Sequence, residues 1–154
     1  MVLFSDSVNK TKMIGKKFAS LLNKGDVVLL GGELGVGKTV FIKGILEGFN
    51  FPSHEVISPS FTLIREYRIK NFPIYHIDLY RIRVKEELIN LGYEDYFYSP
   101  QGITLIEWGD RVEDILNIYI KVELSFVNEM KRKISIVTKG YSHEKNLLLD
   151  SLRI

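Results

Sequence analysis

A chain of 154 residues, 45% hydrophobic and 26% charged, has enough apolar mass for one core and too little length for two ordinary domains. A formal net charge of +2 offers no basic surface that argues by itself for nucleic acid, and the lack of cysteine excludes disulfides, thiolate zinc sites and thiol catalysis. No apolar run approaches the roughly 18 residues of a membrane span, and the first residues lack the order of a secretory signal, so a cytoplasmic protein without membrane attachment is expected.

In chain order, Ser7 to Leu22 places Val8, Thr11, Ile14, Phe18, Leu21 and Leu22 on one helical face, with Gly25 as its stop. Val27 to Leu30 reads as a buried strand, and Val40 to Phe49 as a helix with Phe41, Ile45 and Phe49 at helical spacing. Phe51 to His54 breaks the pattern, and Pro59 keeps Ser58-Pro59-Ser60 extended. Phe61 to Ile69 and Ile74 to Tyr80 then form an antiparallel hairpin across Lys70-Asn71-Phe72-Pro73.

Val84 to Leu91 is a short helix ended by Gly92, and Gly102 to Glu107 is a second buried strand. Asp110 to Leu116 has room for a helical turn or two. Ile118, Ile120, Val122, Leu124 and Phe126 alternate strictly, and Ile134 and Ile136 resume the pattern after the polar turn Asn128 to Lys131, which gives a second hairpin. Ser142 to Leu152 closes the chain as a helix. These elements predict one α/β domain over 1–154, with a mixed parallel and antiparallel sheet flanked by helices.

Between the first strand and the second helix, Gly32 to Thr39 reads Gly-Glu-Leu-Gly-Val-Gly-Lys-Thr, a complete G-x-x-x-x-G-K-[ST] phosphate loop. Its backbone N–H groups and the positive end of the helix dipole converge on one spot, which favours an oligophosphate. Gly35 and Gly37 let the backbone wrap the phosphates, Lys38 reaches their oxygens, and the Thr39 hydroxyl is placed to ligate Mg²⁺.

Such a site also needs an acid near the metal, at the end of a neighbouring buried strand. Glu107 and Asp78 both qualify, and Glu107 is preferred for the Mg²⁺ shell. Ser58, Ser60 and Thr62 supply hydroxyls where a γ-phosphate sensor could lie. Asn23-Lys24-Gly25-Asp26 imitates a guanine-specificity motif but precedes the loop, and Gly35-x-Gly37 lacks the third glycine of a dinucleotide fold, so neither GTP nor NAD is expected. His54, His76 and His143 are not spaced as a metal cluster, although His76 is near the proposed site.

Taken in order, Gly31 to Thr39, Ser58-Pro59-Ser60-Phe61-Thr62-Leu63, His76-Ile77-Asp78-Leu79-Tyr80-Arg81 and Ile106-Glu107-Trp108 closely resemble the bacterial TsaE family of small P-loop ATPases, over about Thr11 to Lys139. The resemblance implies a P-loop NTPase-like fold with ATP bound at Leu34, Gly35, Val36, Gly37, Lys38 and Thr39. It implies Mg²⁺ held by Thr39 and Glu107, with Lys38, Asp78 and Glu107 as the catalytic set. It further implies that Thr11, Asp110 and Arg132 or Lys133 approach the nucleotide. The ATPase would be weak alone and would serve TsaB and TsaD, which form threonylcarbamoyladenosine on tRNA, so that tRNA is met only through the complex.

Three positions depart from the family pattern: Ser60 for threonine, Gly109 for proline and Glu33 for aspartate. None removes a group needed for Mg·ATP. A small-molecule kinase using the same Mg·ATP site is the alternative, and a nucleotide-dependent scaffold a third possibility.

Overall fold

The computed structural model describes residues 1–150, with the side chains of Lys85, Glu144, Leu148, Leu149 and Asp150 left aside. Seven strands form one sheet: β1 (Val2–Ser5), β2 (Val27–Gly31), β3 (Ile64–Ile69), β4 (Phe72–Asp78), β5 (Ile103–Glu107), β6 (Tyr119–Phe126) and β7 (Arg132–Lys139), in the order β1-β7-β6-β2-β5-β4-β3. β2 is central and parallel to both β5 and β6, and β4 is parallel to β5. β3 and β7 add antiparallel partners at the two sides, and β1 closes the β7 edge. The helices are α1 (Val8–Ala19), α2 (Lys38–Gly48), α3 (Lys85–Asn90) and α4 (His143–Asp150).

The parallel centre explains the sequence pattern. A strand covered on both faces needs apolar residues at every position. Val28 and Leu30 of β2 join the core under α1 and α2 with Phe18, Phe41, Ile42 and Ile45. Val27 and Leu29 point the other way, into a second core with Ile77, Leu79, Ile106, Val112 and Leu116. β5 repeats the division, sending Ile103 and Leu105 to the first core and Ile106 to the second.

Both predicted hairpins form, with shifted limits. The first turn is Lys70-Asn71 alone, because Ile69 pairs with Phe72 and Arg68 with Pro73. Proline is accommodated there because β5 begins to pair only at Ile74, so Pro73 needs no donor on that side. At the other end, β3 starts at Ile64 rather than Phe61. Leu63 adopts φ 65° and its N–H bonds to the Pro59 carbonyl, which turns the chain away and leaves Phe61 exposed.

α1 begins as expected, with the Ser7 hydroxyl accepting from Lys10 N–H, but ends at Ala19 rather than Leu22. Leu21 and Leu22 N–H groups bond three residues back, and Gly25 donates to the Gly102 carbonyl at 2.7 Å. Gly25 is therefore part of the entry to β2 and not the helix stop. The guanine-like motif is structural: Asp26 accepts from Asn23 N–H, Tyr141 Oη and Lys145 Nζ. This ties α4 to the sheet at the end of β2 away from the phosphate loop. Of the closing helix predicted over Ser142 to Leu152, residues 151 and 152 lie outside the described residues.

Candidate nucleotide-binding site

Parallel strands place their C-terminal ends on one side of the sheet, and the candidate groups gather there. The loop leaves β2 at Gly31 and enters α2 through Gly37, which holds φ 117° at the helix N-cap, while Gly35 holds φ 78°. A Cβ at Gly35 would meet nothing within 4 Å, so its glycine is required by the left-handed backbone and not by crowding. Val36 turns inward and is buried in the first core, which anchors the loop.

Lys38 is 5% exposed, and its ammonium donates to the Gly32 and Glu33 carbonyls at 2.6 and 2.8 Å. Burial holds this amine below the ordinary lysine range, opposed by the negative charges of Glu107, Asp78, Asp110 and Glu123. Its Nζ also lies 3.9 Å from the centre of the Trp108 ring. Trp108 adopts φ 60°, an uncommon conformation for a bulky residue, and stacks at a tilt on Tyr80 with 5.1 Å between ring centres.

The next residue, Thr39, donates its hydroxyl to Glu107 Oε1 at 2.8 Å. Glu107 is the last residue of β5 and pairs in register with Asp78, the last of β4, so the two preferred acids stand side by side. Asp78 Oδ2 accepts from Ser58 Oγ at 3.0 Å and Ser60 Oγ at 2.8 Å, and its Oδ1 accepts from Tyr80 N–H at 2.9 Å. The Ser58-Pro59-Ser60 segment is thereby tied to a strand end inside the site. Replacement of the usual threonine by Ser60 keeps the hydroxyl needed for this bond.

A cleft of about 360 Å³ collects Leu34, Gly35, Gly37, Lys38, Thr39, Asp78 and Glu107, with Ser58, Ser60, Tyr80, Arg81 and Trp108 completing its wall. The other predicted residues lie around it. Thr11 is buried behind the loop, its hydroxyl 2.7 Å from Ser5 Oγ and bonded to the Ser7 carbonyl, and a Cβ at Gly37 would lie 3.8 Å from its methyl. Asp110 sits on a short turn after Trp108 and does not line the cleft, although its charge acts on Lys38. Arg132 opens β7 opposite Ser5 and Phe126, donates to the Glu129 carbonyl and stacks over Phe126, outside the cleft.

Sequence reasoning missed Glu123, whose carboxylate underlies the loop: a Cβ at Gly31 would fall 2.1 Å from its Oε2. Burial raises this carboxyl above its ordinary range. Glu123 falls on the alternate positions of β6 with Lys121 and Ser125, so the alternation by itself reads it as a solvated side chain. Tyr80, a strand end and part of the motif from His76 to Arg81 in the sequence, is given no site role by that reading, and the structure sets it in the cleft wall.

The profile of the family described as Threonylcarbamoyl adenosine biosynthesis protein TsaE matches residues 5–134. A TsaE protein of Rickettsia felis is 38% identical over 148 residues, covering 96% of this chain and 84% of that one. That of Bacillus subtilis is 37% identical over 136 residues, covering 88% and 84%. The crystal structure of Bacillus subtilis YdiB superposes with a TM-score of 0.77 at 30% identity, covering 99% of this chain and 93% of that one. The mixed sheet is thus the P-loop NTPase-like fold of that neighbour, and the chain belongs to the TsaE family, whose members take part in threonylcarbamoyladenosine biosynthesis on tRNA.

Proposed function

We propose that this chain is a cytoplasmic ATPase that binds Mg·ATP at Leu34 to Thr39 and hydrolyses it as an accessory to TsaB and TsaD, without itself reading tRNA. The observation that carries this reading is the hydrogen bond of 2.8 Å from Thr39 to Glu107 inside a cleft that also contains Lys38 and Asp78. A threonine hydroxyl that gives its proton to a carboxylate keeps its oxygen lone pairs for a cation.

Among the described residues no group of three or more His, Cys, Asp or Glu side chains is arranged to hold a metal. Thr39 and Glu107 offer two neighbouring oxygen donors, which suits an ion such as Mg²⁺ that takes most of its ligands from phosphate and water. Bound there, Mg²⁺ would neutralise charge on the phosphates. The chain's own contribution is positional: loop N–H groups and Lys38 bind phosphate oxygens, and Asp78 fixes Ser58 and Ser60 beside them. An acid with three donors already on it is suited to orienting polar groups and, through them, an attacking water.

The kinase alternative draws on one observation. A second cleft of about 830 Å³ adjoins the first through Tyr80 and Arg81 and is bordered by Arg83, Val84, Leu88 and Arg111. Product analysis on the purified chain, with and without TsaB and TsaD, separates the two. Free phosphate released faster with the partners, and lowered about 10²-fold or more by Lys38→Ala, supports the ATPase. A phosphorylated metabolite, or turnover unchanged in Lys38→Ala, rejects it.

A further inference from the structure

His76 is completely buried on β4, two residues before Asp78, and points to the same face of the sheet as Glu107. Its Nε2 lies 2.8 Å from Glu107 Oε1, the oxygen that also accepts from Thr39. Its Nδ1 has no hydrogen-bond partner among the described residues. A buried polar chain of this kind, histidine to carboxylate to hydroxyl, is more than an apolar strand needs for packing. Leucine or isoleucine would fill the same space without leaving a polar atom unpaired.

The geometry selects one neutral tautomer. With hydrogen on Nε2, the ring donates to the carboxylate and keeps only a lone pair at Nδ1. With hydrogen on Nδ1, an N–H would be buried without an acceptor and the Nε2 lone pair would face the carboxylate oxygen. The Nε2–H form satisfies the contact and the other opposes it.

Two donors then converge on Oε1, and an sp² oxygen has two lone pairs to offer them. A cation entering beside Thr39 is left with Oε2 and with the lone pairs of the threonine hydroxyl. We propose that His76 is a positioning residue for the Mg²⁺ side of the site: its Nε2–H anchors Glu107 Oε1 and so determines which carboxylate oxygen, at which angle, is presented to the ion. This role rests on the Mg·ATP site proposed above. It assigns the histidine neither metal ligation nor proton transfer to substrate.

Two measurements test it. The first needs no nucleotide: long-range ¹H–¹⁵N correlation spectra of the imidazoles in the full chain should show His76 with protonated Nε2 and bare Nδ1. The reverse tautomer would overturn the proposal. The second measures the affinity of a non-hydrolysable ATP analogue in Mg²⁺ and in excess EDTA, for wild type, His76→Ala and His76→Gln.

Loss of an outer hydrogen-bonding partner commonly lowers metal affinity about 10–100-fold. His76→Ala should therefore raise the Mg²⁺ concentration for half-maximal tight binding by that factor and leave EDTA binding unchanged. His76→Gln, which returns an amide donor near the Nε2 position, should restore most of the loss. Equal weakening in Mg²⁺ and EDTA, or an unchanged Mg²⁺ requirement in both variants, would reduce His76 to a packing residue. If wild type itself shows no Mg²⁺-dependent binding, the nucleotide site fails, a result distinct from either outcome. If His76→Ala does not fold, the tautomer and the glutamine variant still decide.

Discussion

Lys38 shows how a residue suited to a ligand weighs on the fold that carries it. Burial holds its amine below the ordinary lysine range although four carboxylates pull the other way. A group whose folded value is lowered binds fewer protons when folded than when unfolded, so wild type gains stability as pH rises through the window from the folded value up to the ordinary 10.5. Lys38→Met removes the titration. In denaturant melts from neutral to alkaline pH, wild type should gain stability relative to the variant in that window, and parallel profiles would refute the burial effect. Asp78 makes the complementary case, because Ser58 and Ser60 both donate to its Oδ2 and their oxygens are 2.9 Å apart. Replacing either serine with alanine should slow hydrolysis by about 1 kcal/mol, roughly fivefold. The double variant should depart from additivity by about 0.5 kcal/mol or more, and strictly additive rates would separate the two hydroxyls functionally.

Between elements, glycine sets how closely α1 and α2 approach. A Cβ at Gly15 would lie 2.3 Å from the Phe41 carbonyl oxygen, and one at Gly44 would lie 2.1 Å from that of Lys12. Helix propensity alone favours Gly44→Ala by about 1 kcal/mol. Backbone overlap should reverse the sign and cost about 1–3 kcal/mol in chemical denaturation, since neither carbonyl is a flexible side chain that can swing aside. A stabilised variant would show that the helices have room to separate. Gly109 is a similar case: a Cβ there would fall 2.5 Å from Leu29 Cβ, so the departure from proline matches the local packing. Such contacts are hard to read from a sequence because they depend on which helix faces which. The loop, both buried strands and both hairpins were legible because their signals are local: glycine spacing, continuous apolar runs and strict alternation. β1 was not, since Val2–Ser5 is only four residues long and its partner Arg132–Ser135 lies at the other end of the chain. His76 was visible as a residue, but its tie to Glu107 required the parallel register of β4 on β5.

At the scale of the whole molecule, β2 separates two polar clusters with different tasks. Five residues at about 3.3 Å each put roughly 17 Å between Asp26 at its start and the phosphate loop at its end. At the start, Lys145 donates to Asp26 Oδ2 at 2.7 Å and to the Leu21 carbonyl at 2.6 Å, while Tyr141 donates to Asp26 Oδ1 at 2.8 Å. Burial and the adjoining Asp26 push the Tyr141 phenol upward. One carboxylate thus joins α4, the segment that follows α1 and the entry to the central strand, and none of these groups lines the cleft beside the phosphate loop. Asp26→Asn would leave the Lys145 ammonium buried without its counter-charge, a change that costs about 3–5 kcal/mol when a buried pair is broken from one side. Adding Lys145→Met should recover much of that loss by removing the stranded charge. Because the disturbance lies at the opposite end of the strand, ATP turnover by the fraction that remains folded should match wild type. Equilibrium unfolding of both variants, read beside hydrolysis at a temperature where each is folded, tests the separation. A drop in turnover that tracks the Asp26 substitution in folded protein would mean that the two ends of β2 are coupled.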